Sequence, residues 1–150
     1  MSAVRSSVVI AAPAATVWAV VMDPQRFAEW VTIHREVRAV SPGPPREGAR
    51  MEQILHLRGA DIRVRWLLVE CNPPWHARWE GRGPARSQAH IDYRLTATAE
   101  GTRFDYQNEL RAPLGAVGAF ASRAVIGAIA QREADRSLAA LRQLIEHSPA

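Results

Sequence analysis

The feature that most constrains this chain is a change of hydrophobic period near Leu110. From Ile33 to that point apolar residues recur at every second position, and beyond it at every third or fourth. Alternation of this kind marks strands with one buried face, whereas the longer period marks a helix. Breaks at Pro42-Gly43-Pro44-Pro45, Arg58-Gly59-Ala60-Asp61, Asn72-Pro73-Pro74, Gly81 to Pro84 and Glu100-Gly101 divide the alternating region into about six strands. Strands joined by turns this short pair antiparallel, because a parallel pair needs a long crossover. After Leu110, Val117, Ala121, Ala124, Ala128, Ala134, Leu138, Leu141 and Ile145 form one stripe with a single gap at Gln131. Arg132, Glu133, Arg136 and Arg142 fall off that stripe, so a long amphipathic helix is expected. Its first half carries Gly115, Gly118, Ala119, Ala121, Ala124, Gly127 and Ala128, a run so low in volume that it either packs very close to a neighbour or leaves space above the sheet.

Before the alternating region, Val4 to Ala11 read as a β-branched first strand stopped by Pro13. Ala14 to Met22 place Val17, Val20 and Val21 at helical spacing beside Trp18, and Asp23-Pro24 caps a second short helix carrying Phe27, Trp30 and Val31. At 150 residues the whole chain, 1–150, is expected to form one domain. The formal charge of +4 comes from 19 basic residues, all arginine, scattered among 15 acidic ones. Without a contiguous basic patch, nucleic acid is not an expected partner. Cys71 is the only cysteine, which excludes an intramolecular disulfide and an all-cysteine metal site and reads as an inert thiol at a strand end. No apolar run has the length of a membrane span and the start lacks the pattern of a secretory signal, so a cytoplasmic protein without stable membrane insertion is expected. Phosphate-cradling glycine loops, zinc spacings and nucleophile elbows are absent as well, so the expectation is no cofactor and no metal.

The order strand, two short helices, six strands and a long terminal helix resembles the SRPBCC superfamily, which includes START domains, the birch-pollen allergen fold and bacterial polyketide cyclases and dehydrases. Short strings carry the resemblance further. Ala12-Pro13-Ala14-Ala15-Thr16-Val17-Trp18 is similar to the family's opening, and Asp23-Pro24 through Phe27 to Trp30 to its second helix. Glu70 to Trp75 resembles its Pro-Pro turn, and Gly101-Thr102-Arg103 its last hairpin. The resemblance implies an α+β helix-grip fold: a curved antiparallel sheet of about seven strands around the long C-terminal helix, with two short helices after the first strand. Its members bind lipids, hormones and aromatic compounds, and some catalyse cyclisation or dehydration.

In such a fold strand parity sorts side chains between pocket and solvent. Ile62, Val64, Trp66 and Leu68 are expected inside with Arg63 and Arg65 outside, and Trp75, Ala77 and Trp79 inside with Arg78 and Glu80 outside. On the last two strands Ala89, Ile91, Tyr93 and Leu95, then Phe104, Tyr106, Asn108 and Leu110, take the inward parity. Met51, Gln53, Leu55 and Leu57 do so earlier, although Ile54 breaks the alternation there. The expected ligand site therefore combines Trp30, Gln53, Leu55, Val64, Trp66 and Trp79 with Ile91, Tyr93, Phe104, Tyr106 and Asn108. Phe120, Ala124, Ala128 and Gln131 join them from the helix.

An apolar cavity with a few hydrogen-bonding groups suits a hydrophobic small molecule. Three functions are open at this level. One is a carrier or sensor for a lipid-like, polyketide or aromatic metabolite. Another is a cofactor-independent polyketide cyclase or dehydratase, in which Tyr93 and Tyr106 polarise a bound carbonyl or phenol. The last is a protein-interaction module with a filled core. His56, His76 and His90 take the solvent parity, whereas His34, close to where family members open their pockets, is a candidate for a catalytic, ligand-facing role. Pro42 to Gly48 read as a solvated turn or a border of the entrance. Both a monomer and a homodimer are compatible with the sequence.

Overall fold

The computed structural model describes residues 2–57, 59–111 and 119–147, with the side chains of the last helix described from Ala130 onward. Strand β1 (Ser2–Ile10) leads through Pro13 into helix α1 (Ala14–Val21), whose Val17, Trp18, Val20 and Val21 are buried. The Asp23 side chain accepts from the Gln25 backbone N–H at 3.0 Å and starts a single 3-10 turn, Pro24–Arg26, that runs directly into the short α2 (Phe27–Trp30). Six strands follow: β2 (His34–Arg38), β3 (Arg50–Leu57), β4 (Ala60–Asn72), β5 (His76–Arg82), β6 (Gln88–Thr98) and β7 (Gly101–Arg111). Helix α3 (Ala119–Glu146) closes the described order.

All neighbouring strands pair antiparallel in one seven-stranded sheet of order β1-β7-β6-β5-β4-β3-β2. The sheet curls into a half-barrel, with α2 and α3 over its concave side: the helix-grip arrangement that the sequence pattern implies. Strand parity holds along β4, where Val64, Trp66 and Leu68 are buried while Arg63 and Arg65 are exposed. The core is built on Ile10, Val17, Val21, Leu68, Phe104, Leu138 and Leu141, all at most 2% exposed. At the β6–β7 hairpin Gly101 has φ +142°, and a Cβ there would stand 2.1 Å from the Ile10 carbonyl oxygen. Only glycine lets this turn press against the end of β1.

Two inward expectations are corrected by this architecture. Trp75 is 49% exposed, because it lies in the Asn72–His76 turn, beyond the end of β4, where alternation no longer applies. Gln131 turns to β1: its Nε2 donates to the Arg5 carbonyl at 2.6 Å and its Oε1 accepts from the Arg5 N–H at 3.4 Å. Strand β1 is a sheet edge with unpaired backbone groups, and α3 lies along it. Two more links continue this strap, Ser6 Oγ to Asp135 Oδ1 at 2.7 Å and the Ala11 N–H to Glu146 Oε2 at 2.9 Å. Among the described residues, no helix is long and apolar enough to cross a membrane.

Candidate functional site

A cavity of about 400 Å³ lies between the concave face of the sheet and the helices. Its apolar walls come from the inward parity of four strands: Leu55 on β3, Val64 and Trp66 on β4, Trp79 on β5, and Ile91 and Tyr93 on β6. Phe27, Trp30 and Val31 close it from α2, and Ala134 and Leu138 from α3. Gly81 makes room for the Trp66 ring, since a Cβ there would fall 2.5 Å from its Cζ3 and 2.8 Å from Val64 Cγ1. The most exposed lining residues, Pro84 and Arg111, stand at the end of the sheet where β5 and β7 finish, and there the cavity has its rim.

Polar groups are few and ordered. The Trp66 indole donates to Gln53 Oε1 at 3.0 Å, and Gln53 Nε2 lies 2.9 Å from His34 Nδ1. An indole N–H can only donate, which fixes the amide orientation and makes His34 Nδ1 an acceptor. His34 is thus the neutral Nε2–H tautomer, and burial lowers its pKa in the same sense. The ring does not line the cavity. It packs edge-on against Phe27 with centroids 5.7 Å apart and holds Gln53 from behind, so the ligand-facing role expected of it is corrected to a supporting one.

Tyr93 and Tyr106 are register partners on β6 and β7, with ring centroids 6.1 Å apart, and both face the cavity. Burial raises the pKa of Tyr93 far above that of a free phenol, and the nearby Tyr106 adds to the effect. Burial pushes Tyr106 up to about 12, partly offset by its bond with Asn108. Tyr106 is only partly covered by protein atoms, yet its open side meets the cavity rather than bulk water. Both phenols therefore stay protonated near neutral pH.

The Asn108 Nδ2 donates to the Tyr106 hydroxyl at 3.1 Å, and Asn108 Oδ1 is buried without a partner. In this arrangement the Tyr106 hydroxyl keeps its own proton free to donate. The Trp30 indole N–H is buried and unpartnered too, on a residue only 3% exposed. Such orphan groups are costly in a closed core and call for a partner.

Phe104 is absent from the lining. It is fully buried, edge-on to both Trp30 at 6.4 Å and Tyr93 at 5.2 Å, and so forms the floor that holds those two rings. Phe120, Ala124 and Ala128 lie outside the described side chains. Sequence reasoning missed Glu133 and Ser137, which line the helix wall. Thr32 brings them there: its N–H donates to Ser137 Oγ at 3.1 Å and its hydroxyl to Glu133 Oε2. The one signal for this contact was Thr32 itself, a hydroxyl placed directly after α2. Of the charged groups at the cavity, Arg111 is exposed at the rim and Glu133 is engaged by Thr32 and by Arg136 at 3.5 Å. No cluster able to hold a metal ion exists among the described residues.

A family model described as polyketide cyclase / dehydrase and lipid transport matches residues 1–146. Two curated proteins of Mycobacterium tuberculosis, Toxin MT0934 and Toxin Rv0910, are each 24% identical over 127 residues, covering 83% of this chain and 88% of theirs. Among solved structures, TTHA0849 from Thermus thermophilus superposes with a TM-score of 0.76 at 14% identity over 99% of both chains. CV1439 from Chromobacterium violaceum gives 0.67 at 19% identity over 100% of both chains. DynU16, a protein in the dynemicin biosynthetic locus, gives 0.66 at 20% identity over 97% of this chain and 48% of that one. At these identities the likeness to the solved structures is one of fold.

Proposed function

This chain belongs to the polyketide cyclase/dehydrase and lipid transport family of the SRPBCC superfamily, and from that premise we propose that it binds an uncharged, largely apolar small molecule bearing a hydroxyl or carbonyl group. The observation that carries this reading is a cavity of about 400 Å³, lined mostly by apolar side chains, into whose wall the hydrogen-bonded Tyr106 and Asn108 are set. A cavity of that size falls in the usual range for ligand sites and is costly to leave unfilled. The Tyr106 hydroxyl, which accepts from Asn108, keeps its own proton to donate to an oxygen on the ligand. Hydrocarbon walls disfavour an anionic head. The same void weighs against a pure interaction module, which would fill its core.

Native mass spectrometry of the purified protein tests the reading: a co-purified or added apolar ligand should appear, and Asn108→Leu should weaken retention of hydroxylated ligands selectively. Equal retention by Asn108→Leu would overturn the role given to the pair.

A catalytic reading is favoured by one observation, the two protonated phenols facing one space across neighbouring strands. They would donate to a carbonyl oxygen as negative charge develops there, the electrophilic half of a cyclisation or dehydration. The family and the biosynthetic locus of DynU16 are compatible with it. Under this reading, Tyr93→Phe with Tyr106→Phe abolishes turnover of a poly-ketone substrate while leaving the fold intact. Unchanged product formation would remove the mechanism.

A further inference from the structure

A second cavity of about 270 Å³ lies beside the first, between α1 and the Pro42–Gly48 segment that precedes β3. Trp18 of α1 and its C-cap Met22 line it on one side, and Pro44 and Pro45 of the segment with the following Ala49 on the other. That segment is tied down rather than loose. The Arg46 guanidinium donates to the Pro42 carbonyl at 2.8 Å, the Gly48 N–H to the Leu68 carbonyl at 2.8 Å, and the Leu68 N–H to the Ala49 carbonyl at 2.9 Å. The cavity is therefore preformed.

Met51 and Trp79 line both cavities, so the wall between them is one layer of side chains thick. Both side chains are buried, at 6% and 5% exposed, and are held by packing alone. Met51 has three rotatable bonds, and the Trp79 indole has no hydrogen bond among the described residues, unlike Trp66, which Gln53 pins. Asn108, Ile91 and Trp79 stand in one row across β7, β6 and β5. Asn108 thus lies two strand spacings, roughly 10 Å, from Trp79.

We propose that the two cavities are compartments of one binding site, parted by Met51 and Trp79. The site takes an elongated neutral molecule whose oxygen-bearing head sits at Tyr106 and Asn108 and whose apolar tail passes the wall to lie against Trp18, Met22 and Pro45. This rests on the ligand-binding reading above and adds to it the shape of the ligand.

Five tryptophans give five indole N–H signals in nitrogen-15 NMR, and three report by position. Trp66 borders only the first cavity, Trp18 only the second and Trp79 both. Titration with 4-ethylphenol should shift Trp66 and leave Trp18 still, whereas 4-n-octylphenol should shift Trp66, Trp79 and Trp18 together. Ala49→Phe, which fills the second cavity, should weaken 4-n-octylphenol at least tenfold, since each methylene returned to water changes affinity roughly fourfold. It should leave 4-ethylphenol binding unchanged. Trp18 unmoved by 4-n-octylphenol while Trp66 responds would overturn the two-compartment site but not the ligand-binding reading. A response at Trp18 alone would overturn the continuity between compartments, and silence at every indole would overturn both readings. The unmodified protein decides among these outcomes even if Ala49→Phe does not fold.

Discussion

With Nε2 already protonated, His34 can gain a proton only at Nδ1, which gives up the bond from Gln53 and charges a half-buried ring. Its folded-state pKa is depressed, so on acidification the unfolded chain takes up the proton first. Stability is therefore unaffected above the ordinary imidazole range and falls as pH drops through that range toward the lower folded value. His34→Gln keeps an acceptor without a titrating ring, so its melting temperature should fall less than wild type between pH 7 and pH 5 in parallel calorimetric scans; equal slopes would refute the assignment. Gly81→Ala should cost about 1–3 kcal/mol in urea unfolding, because the new methyl overlaps the Trp66 ring and that ring is pinned at its nitrogen. Tyr93, Tyr106 and Asn108 were legible in the sequence because a period of two leaves no choice of face. Phe104 shares their parity yet meets two rings instead of space, and parity cannot distinguish those cases. Glu133 and Ser137 were illegible for another reason: a carboxylate and a hydroxyl on a helix read as solvated until the partner that buries them, Thr32, is known.

At the level of elements, β1 and α3 define each other. The apolar side of α3 contributes Leu138 and Leu141, at 2% and 0% exposed, and Leu141→Ala should lose about 2–5 kcal/mol, as for other large core truncations. Gln131→Leu tests the polar side of the same contact. It removes both bonds to the Arg5 backbone, and a loss of roughly 1–2 kcal/mol with faster amide exchange at Arg5 is expected. Unaltered exchange would show that the helix does not protect the strand through this residue. The long helix and the antiparallel succession of β2 to β7 followed from the two periods and the short turns. The gap at Gln131 in the apolar stripe was visible too, but whether it served a ligand or an edge strand depended on where β1 lies, which local pattern does not state.

For the molecule as a whole, an enclosed void beneath a curled sheet should couple ligand occupancy to stability. A neutral amphiphile such as 4-n-octylphenol, at a hundred times its dissociation constant, should add about 2.7 kcal/mol to unfolding and raise Tm by several degrees. An unchanged Tm at saturation would mean that the compound binds the unfolded chain equally well. Space above the sheet was one of two readings of the low-volume first half of α3, whose side chains lie outside the described residues. The division of that space into two was not legible, because the Pro42–Gly48 segment carries no period from which to place it.

The strap along β1 has a consequence beyond stability. An open sheet exposes two rows of unpaired amides, each a template on which a foreign strand can grow. Here one row is overlaid by Gln131, Asp135 and Glu146, and the other belongs to β2, five residues long, irregular between His34 and Glu36 and carrying the Glu36–Arg38 ion pair. Fibril-like stacking thus finds no flat, uncharged margin on either side, and cutting the strap at Gln131 and Glu146 together, which frees backbone groups of Arg5 and Ala11, should be the shortest route to an aggregating variant.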